Sequence, residues 1–305
     1  MKPKLIIVLG PTAAGKSEIA LALAEEIGGE IINADSQQVY RSMDIGTGKP
    51  SKEERERIAH HIIDVVNPDE EFNVARFRQL ATDSIYDIGN RRRKVIVCGG
   101  TGLYIRALTT GLFVGPAQDP EIREALKAEA EDHGLDSLYL KLKRVDSAST
   151  SWIHPHDQQR IIRALEVFAL TGKGMSEWQR EHRFNENRFE TLKIGLDRPR
   201  EELYALIDRR CDRMIEDGLV DEVKHLVAMG YDLKLKSLGS VGYRHVGLFL
   251  SGAMPLHDAM TLMKRDTRRL AKRQLTWFRR DGEVQWRHPD RERARIMQLA
   301  KEFIG

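Results

Sequence analysis

Leu5-Ile6-Ile7-Val8-Leu9 is an unbroken apolar run, the pattern of a strand covered on both faces of a parallel sheet. Gly10 to Ser17 interrupts it as a loop. From Glu18 the period becomes helical, with Ile19, Ala22, Leu23 and Ile27 on one stripe that Gly28-Gly29 ends. A second strand is predicted from Glu30 to Ala34, running into Asp35-Ser36. Strand, loop, helix and strand joined this tightly open a doubly wound fold.

The pattern continues with a short apolar strand over His61-Ile62-Ile63-Asp64-Val65-Val66 and a helix from about Val74 to Ile88. The strand Lys94 to Cys98 then runs into a second glycine loop, Gly99-Gly100-Thr101-Gly102, and a further helix. Both loops belong at the carboxyl edge of the sheet, where ligands bind in such folds. After Gly115-Pro116 the chain turns to Glu, Lys, Leu and Ala with helical spacing. Leu192 to Leu196 looks like a returning strand, and Arg200 to Met229 and Leu256 to Arg280 read as long helices. The expected class is α/β, with a P-loop NTPase-like core of parallel sheet and flanking helices plus a helical insertion. The core's first part is residues 1–117, the insertion 118–189, and the core's second part, with basic helices, 190–305.

The 305 residues are 41% hydrophobic and 31% charged, ordinary for a globular protein with a real core. No apolar run approaches the roughly 20 residues that span a bilayer. The first residues do not read as a signal peptide. Cys98 and Cys211, far apart, suggest neither a disulfide framework nor a zinc site. A cytoplasmic protein without membrane partners is expected. The net charge of +3 hides an asymmetry. Residues 241–305 hold fourteen Lys/Arg against seven Asp/Glu, mostly between Arg244 and Arg280, so the other 240 residues sum to −4. A local excess of this kind points to a polyanionic partner.

Gly10-Pro11-Thr12-Ala13-Ala14-Gly15-Lys16-Ser17 matches GxxxxGK[ST] between a buried strand and a helix, the context that the motif requires. Its amides and the helix start form a nest for phosphate oxygens. Lys16 adds a charge, and the Ser17 hydroxyl is placed to ligate Mg²⁺. Adjacent phosphates are what such a loop recognises, so a nucleotide and any other diphosphate are both eligible. A kinase would want an apolar strand ending in a magnesium-holding acid. The strand at 95–98 ends in Cys98-Gly99 instead, and Asp35, at the tip of the second strand, is the best-placed acid.

From Asp35 the text becomes more specific. Residues 35–50 (DSQQVYRSMDIGTGKP), His60-His61-Ile62-Ile63-Asp64, Gly99 to Tyr104, Asp157 to Phe168 (DQQRIIRALEVF), Val241-Gly242-Tyr243-Arg244 and Ala271 to Arg279 occur in this order. Together with the phosphate loop they closely resemble the tRNA dimethylallyltransferases (isopentenylpyrophosphate transferases), over nearly the whole chain. Gly48 stands where that family usually has alanine, Leu206 where a basic residue is common, and His245 where glutamate or glutamine is usual.

The resemblance implies transfer of a dimethylallyl group from dimethylallyl diphosphate to N6 of adenosine 37 in the tRNA anticodon stem-loop, with Mg²⁺ as cofactor. A monomer is expected. Diphosphate binding falls to Gly10 to Ser17, with Lys16 and Arg210 as catalytic contacts to the leaving group and Thr101 carried over as a further catalytic contact to the diphosphate or the substrate. Asp35 is nominated, by resemblance and by position, as the base that takes the N6 proton; holding Mg²⁺ through water, or capping the following turn, stays open for it. The base must leave its stack to be reached. Contacts to the flipped base and the RNA map onto Asp35, Ser36, Gln37, Gln38, Thr101 and Arg123. Further tRNA contacts map onto Gln159, Arg160, Ile161, Ile162 and Arg163, and onto Ser240, Val241, Gly242, Tyr243, Arg244 and His245, with Tyr243 suited to stacking on a base.

Met263, Thr267, Leu270, Gln274 and Trp277 share one stripe that reads as core. That leaves Arg265, Arg269, Lys272, Arg273 and Arg280 outside to meet phosphate. His154-Pro155-His156 reads as a turn before the helix capped by Asp157, and His60-His61 as no metal pair. The alternative function is a P-loop nucleoside or nucleotide kinase using ATP, which leaves the basic helix unexplained. A guanine-reading NKxD is absent from the sequence.

Overall fold

The computed structural model describes residues 2–111, 115–182 and 188–305. The first part of the chain forms β1 (Lys4–Leu9), α1 (Lys16–Ile27), β2 (Gly29–Asn33), α2 (Lys52–Arg57), β3 (His60–His61), α3 (Val74–Asn90), β4 (Lys94–Gly99) and α4 (Gly102–Thr110). Next come α5 (Pro120–His133), α6 (Leu135–Val145), α7 (Gln158–Thr171) and α8 (Met175–His182). The last part forms β5 (Glu190–Leu196), α9 (Arg200–Glu216), α10 (Leu219–Ala228), α11 (Tyr243–Leu250), α12 (Leu256–Phe278), β6 (Gln285–Arg287) and α13 (Arg293–Ile304). Two compact units result: residues 1–109 with 187–305, and residues 110–186. The second unit thus begins and ends somewhat before the 118 and 189 read from composition.

The larger unit is built on a six-stranded parallel sheet in the order β3-β2-β4-β1-β5-β6. The apolar run of β1 fills its centre, Leu5 to Leu9 being at most 1% exposed. Leu9 pairs in register with Gly99 of β4 and Gly195 of β5, so both glycine loops leave the sheet at one edge. Lys193, on central strand β5, is buried and bonded to Asp281 and Glu283, both at 2.7 Å.

The second unit has its own core, formed by Leu126, Leu138, Leu142, Ile153, Ile161, Leu165 and Val167, and no strand among its described residues. Asp157 caps α7 by accepting the Arg160 amide at 3.2 Å, and His154 Nδ1 accepts the His156 amide in the turn before it. No helix among the described residues is long and apolar enough to cross a membrane.

Three readings of the sequence change. The strand expected over 61–66 survives only as His60–His61, because Ile62 and Asp64 take left-handed φ of 63° and 57° and break the pleat. Asp64 turns instead to Lys49 (2.5 Å) and Arg55 (2.8 Å). The single helix expected over 200–229 is two, divided at Gly218, where φ is 101°. Strand β6 and helices α2, α11 and α13 lie outside the predicted elements; β6 and α2, three and six residues long, are too short to show a period.

Gly99 shows how tightly the end of β4 meets the end of β2. A β-carbon there would lie 2.2 Å from the Ala34 carbonyl oxygen and 2.8 Å from Ala34 Cα, both backbone atoms with no room to yield. Gly99→Ala should destabilise the unit by about 1–3 kcal/mol, an overpacking cost, and lower the melting midpoint by roughly 3–10 °C in a thermal melt. An unchanged midpoint would show that the strand ends can part freely.

Candidate active site

The first glycine loop owes its path to three backbone positions. Gly10 has φ 144°, and a β-carbon would sit 2.8 Å from the Leu196 carbonyl of β5, so only glycine passes this point. Ala13 (φ 63°) and Gly15 (φ 96°) are left-handed and turn successive amides toward one side. Helix α1 starts at Lys16 without a side-chain cap, leaving its first amides and dipole open to an anion. The loop is braced from outside. The Thr12 amide donates to Gln274 Oε1 at 2.8 Å. Arg198 Nε donates to the Ala14 carbonyl at 3.2 Å, and Arg198 is itself gripped by Glu202 and Asp290.

Lys16 bends back so that Nζ donates to the Pro11 carbonyl at 2.7 Å. Burial lowers its pKa from 10.5 to about 8; Cys98 and Asp35 act in the opposite sense, while Arg210 adds to the lowering. Arg210, on α9, is the second cation. Its Nη2 reaches the Thr47 carbonyl at 3.3 Å, and burial pushes its pKa down too, with Asp35 working against the shift. Neither Lys16 nor Arg210 has a carboxylate within 4 Å among the described residues. Two half-buried, mutually repelling charges, with Asp35 nearby but ion-paired to neither, are stabilised when a further anion joins them. Cys98 beneath them is pushed up to about 11, chiefly by burial, and stays a neutral thiol.

Asp35 follows β2. Its Oδ1 accepts the Gln37 amide at 2.8 Å, so it caps the turn, one of the roles left open. Its Oδ2 makes no hydrogen bond among the described residues. Thr101 crosses from the second loop, Oγ1 accepting the Ser36 amide at 3.0 Å and N donating to Ala34 O at 3.2 Å. Gln38 Nε2 bonds the carbonyls of Thr47 (3.3 Å) and Gly48 (3.0 Å). At Gly48 φ is 60°, and a β-carbon would lie 2.2 Å from Arg210 Nη2. Turn 44–46 hangs from Glu222, whose carboxylate accepts the amides of Asp44, Ile45 and Gly46 at 2.9, 2.8 and 3.2 Å.

These groups line one cleft of about 1420 Å³ in the larger unit, shared by Thr12, Ala13, Gly15 to Ser17, Asp35 to Gln38, Cys98 to Thr101, Arg210, Ser240 and Gln274. Gln37 Oε1 and Ser240 Oγ are buried there without a hydrogen-bond partner, as groups awaiting a polar ligand are. Arg209, Arg213 and Arg273 also line it, with no ion pair among the described residues. Ser17 Oγ is exposed to the cleft and uncommitted. Its hydroxyl is a hard oxygen donor of the kind that suits Mg²⁺.

Several predicted contacts lie elsewhere. Tyr243 cannot stack on a base in this conformation: it is wholly buried, its hydroxyl donates to Glu222 at 2.5 Å, and burial pushes its pKa up so that the phenol keeps its proton. His245 is buried too, with Nδ1 accepting the Gly242 amide. Gly242 caps α11 at φ 99°, and Val241 and Arg244 line the cleft. In the second unit Ile161 and Ile162 belong to the core, whereas Gln159 and Arg160 are exposed. Arg123 Nε (3.2 Å) and Arg163 Nη1 (2.7 Å) share one buried carboxylate, Glu166.

The basic run is partly neutralised. Arg244, Arg265 and Arg269 share Asp266; burial alone would raise that carboxyl, but bonds from Arg265, His245 and Arg244 hold it at about 2. Arg268 pairs with Asp208, and Lys264 with Asp212. Lys272, Arg273 and Arg280 remain exposed and without ion pairs among the described residues. Met263 and Thr267 are buried as the stripe predicts, yet both line the cleft with Leu270 and Gln274. Sequence reasoning missed Gln274 as a loop brace, and Glu222 and Arg198 altogether. Their partners are too distant in sequence to leave a local signal.

Residues 38–281 match the family model described as IPP transferase. The chain is 52% identical to a tRNA dimethylallyltransferase of Geobacter metallireducens, with 93% of this chain and 92% of that one covered. It is 47% identical to tRNA dimethylallyltransferase 1 of Citrifermentans bemidjiense, over 100% and 98%. A solved tRNA isopentenylpyrophosphate transferase from Bacillus halodurans superposes with a TM-score of 0.74 at 38% identity, covering 100% and 96%. A eukaryotic dimethylallyltransferase acting on tRNA gives 0.84 at 28%, over 99% and 79%.

Proposed function

The chain belongs to the IPP transferase family, the tRNA dimethylallyltransferases, and from that premise we propose that it moves the dimethylallyl group of dimethylallyl diphosphate to N6 of adenosine 37 in the anticodon stem-loop of tRNA. One observation carries the reading for this chain: Lys16 and Arg210 face the same phosphate-loop cleft and neither makes an ion pair among the described residues, Asp35 acting on both only from beyond ion-pair distance. A diphosphate supplies the missing charge.

In the reaction the bond from the prenyl C1 to the diphosphate oxygen breaks, and a bond from C1 to N6 forms. Charge grows on the departing oxygen, where the loop amides, Lys16 and Arg210 stabilise it. The N6 lone pair is delocalised into the purine ring, so nitrogen attacks well only as its proton leaves. Asp35 Oδ2 receives that proton while Oδ1 keeps the turn in place. Thr101 holds the acceptor segment through the Ser36 amide, and Gln37 and Ser240 offer their unpaired oxygens to the extruded base. Mg²⁺, held by Ser17 and the diphosphate, would neutralise the leaving group. Arg123, Gln159, Arg160 and Arg163 provide cationic and polar groups for the RNA backbone. The enzyme is taken as a cytoplasmic monomer.

Labelled dimethylallyl diphosphate incubated with unmodified tRNA tests the proposal. Label should move to RNA, and nuclease digestion should return N6-(dimethylallyl)adenosine from position 37. ATP-dependent phosphorylation of a free nucleoside, with no labelled RNA, would replace this reading by that of a kinase.

A further inference from the structure

The geometry points to Gln274 as a positioning residue that fixes the distance between the donor and acceptor halves of the cleft; this rests on the diphosphate reading of the first glycine loop. Its side-chain amide is used at both ends. Oε1 accepts the Thr12 amide at 2.8 Å, and Nε2 donates to the Gly100 carbonyl at 3.0 Å. A β-carbon on Gly100 would lie 2.3 Å from Nε2, so the second loop is shaped to receive this side chain. From Gly100 the connection is short. Thr101 holds the Ser36 amide, one residue beyond Asp35. One amide therefore sets the phosphate loop against the loop that carries the proposed base.

The bond also withdraws the Thr12 N–H from the set of amides offered to diphosphate. Gln274 acts on the register of the two loops rather than on either substrate. Its neighbour Arg273 is exposed, lines the cleft and has no ion pair among the described residues. Helix α12 thus presents a free cation and the loop clamp side by side.

The chemistry requires C1 and N6 to approach within about 3–3.5 Å, and a misplacement near 1 Å costs about 10²-fold. Gln274→Leu removes both bonds. Gln274→Glu keeps an acceptor for Thr12 but, when ionised, sets a negative oxygen against the Gly100 carbonyl. Both variants should lose roughly 10–100-fold in single-turnover rate, while Kd for inorganic diphosphate and for tRNA stays within about threefold. A protonated carboxyl can donate to Gly100 as the amide does. The ratio of the Gln274→Glu rate to the wild-type rate should therefore rise about fivefold from pH 8 to pH 5, toward the ordinary glutamate value; the Leu ratio should stay flat.

Wild-type turnover in both variants, or equal losses in turnover and in binding of both substrates, would overturn the assignment. If the Leu variant does not fold, the Glu variant and its pH ratio decide. A wild-type chain that binds no diphosphate would instead bring down the proposed function, and this assignment with it.

Discussion

Asp35→Asn should bind dimethylallyl diphosphate and tRNA as the wild type does, yet turn over about 10²–10⁴-fold more slowly, the span of general-base catalysis. Asparagine is the discriminating replacement because Asp35 has two tasks. Its Oδ1 accepts the Gln37 amide, and the asparagine carbonyl can keep that bond. Its Oδ2 has no partner among the described residues, and there the amide offers an N–H where a proton acceptor is needed. Single-turnover rates with both substrates saturating measure the effect, and a melting curve checks the turn. Turnover within about threefold of wild type would reduce Asp35 to a turn cap.

Lys16→Met should lower turnover by about 10²–10³-fold, as removal of one preorganised donor to a developing anion does. It should also abolish a pH effect that the wild type shows. In the free protein burial brings Lys16 to about 8. The unfolded chain holds that proton up to the ordinary 10.5, so the Lys16 contribution to stability rises with pH between these values. Bound diphosphate favours the ammonium and raises its pKa. Below about 8 the proton is already present and affinity is level. Above it, each binding event takes up a proton and affinity falls by about tenfold per pH unit until the bound form titrates. Calorimetry at pH 9 in two buffers of different ionisation heat reads this uptake directly. No uptake by the wild type, or equal uptake by Lys16→Met, would remove Lys16 from the diphosphate site.

The central strands and the phosphate loop were legible because each is written in consecutive residues: an apolar run for β1, then glycines at turns that demand them. The strand over 61–66 was misread because left-handed backbone at Ile62 and Asp64 leaves no trace in hydropathy. Tyr243 misled differently. A tyrosine in a motif suggests stacking, but its hydroxyl goes to Glu222, a carboxylate on another helix that also holds turn 44–46. The apolar stripe of α12 was read for burial alone, so Gln274 looked like a core position. Its partners Thr12 and Gly100 are 262 and 174 residues away. Arg265 and Arg269 read as free in the sequence, and the fold pairs both with Asp266, which lies between them.

The pairing of β1 with both β4 and β5 has a consequence for how the chain is made. A nascent chain that has reached residue 109 has β1 flanked on one side only, with the Leu5–Leu9 edge open. It also lacks Arg198, which grips Ala14, and Arg210, the second cation of the cleft. The first glycine loop is thus made before the partners that give it its working shape. Fragments ending before β5 should be sticky at that edge and unable to hold phosphate, however well their local sequence is preserved.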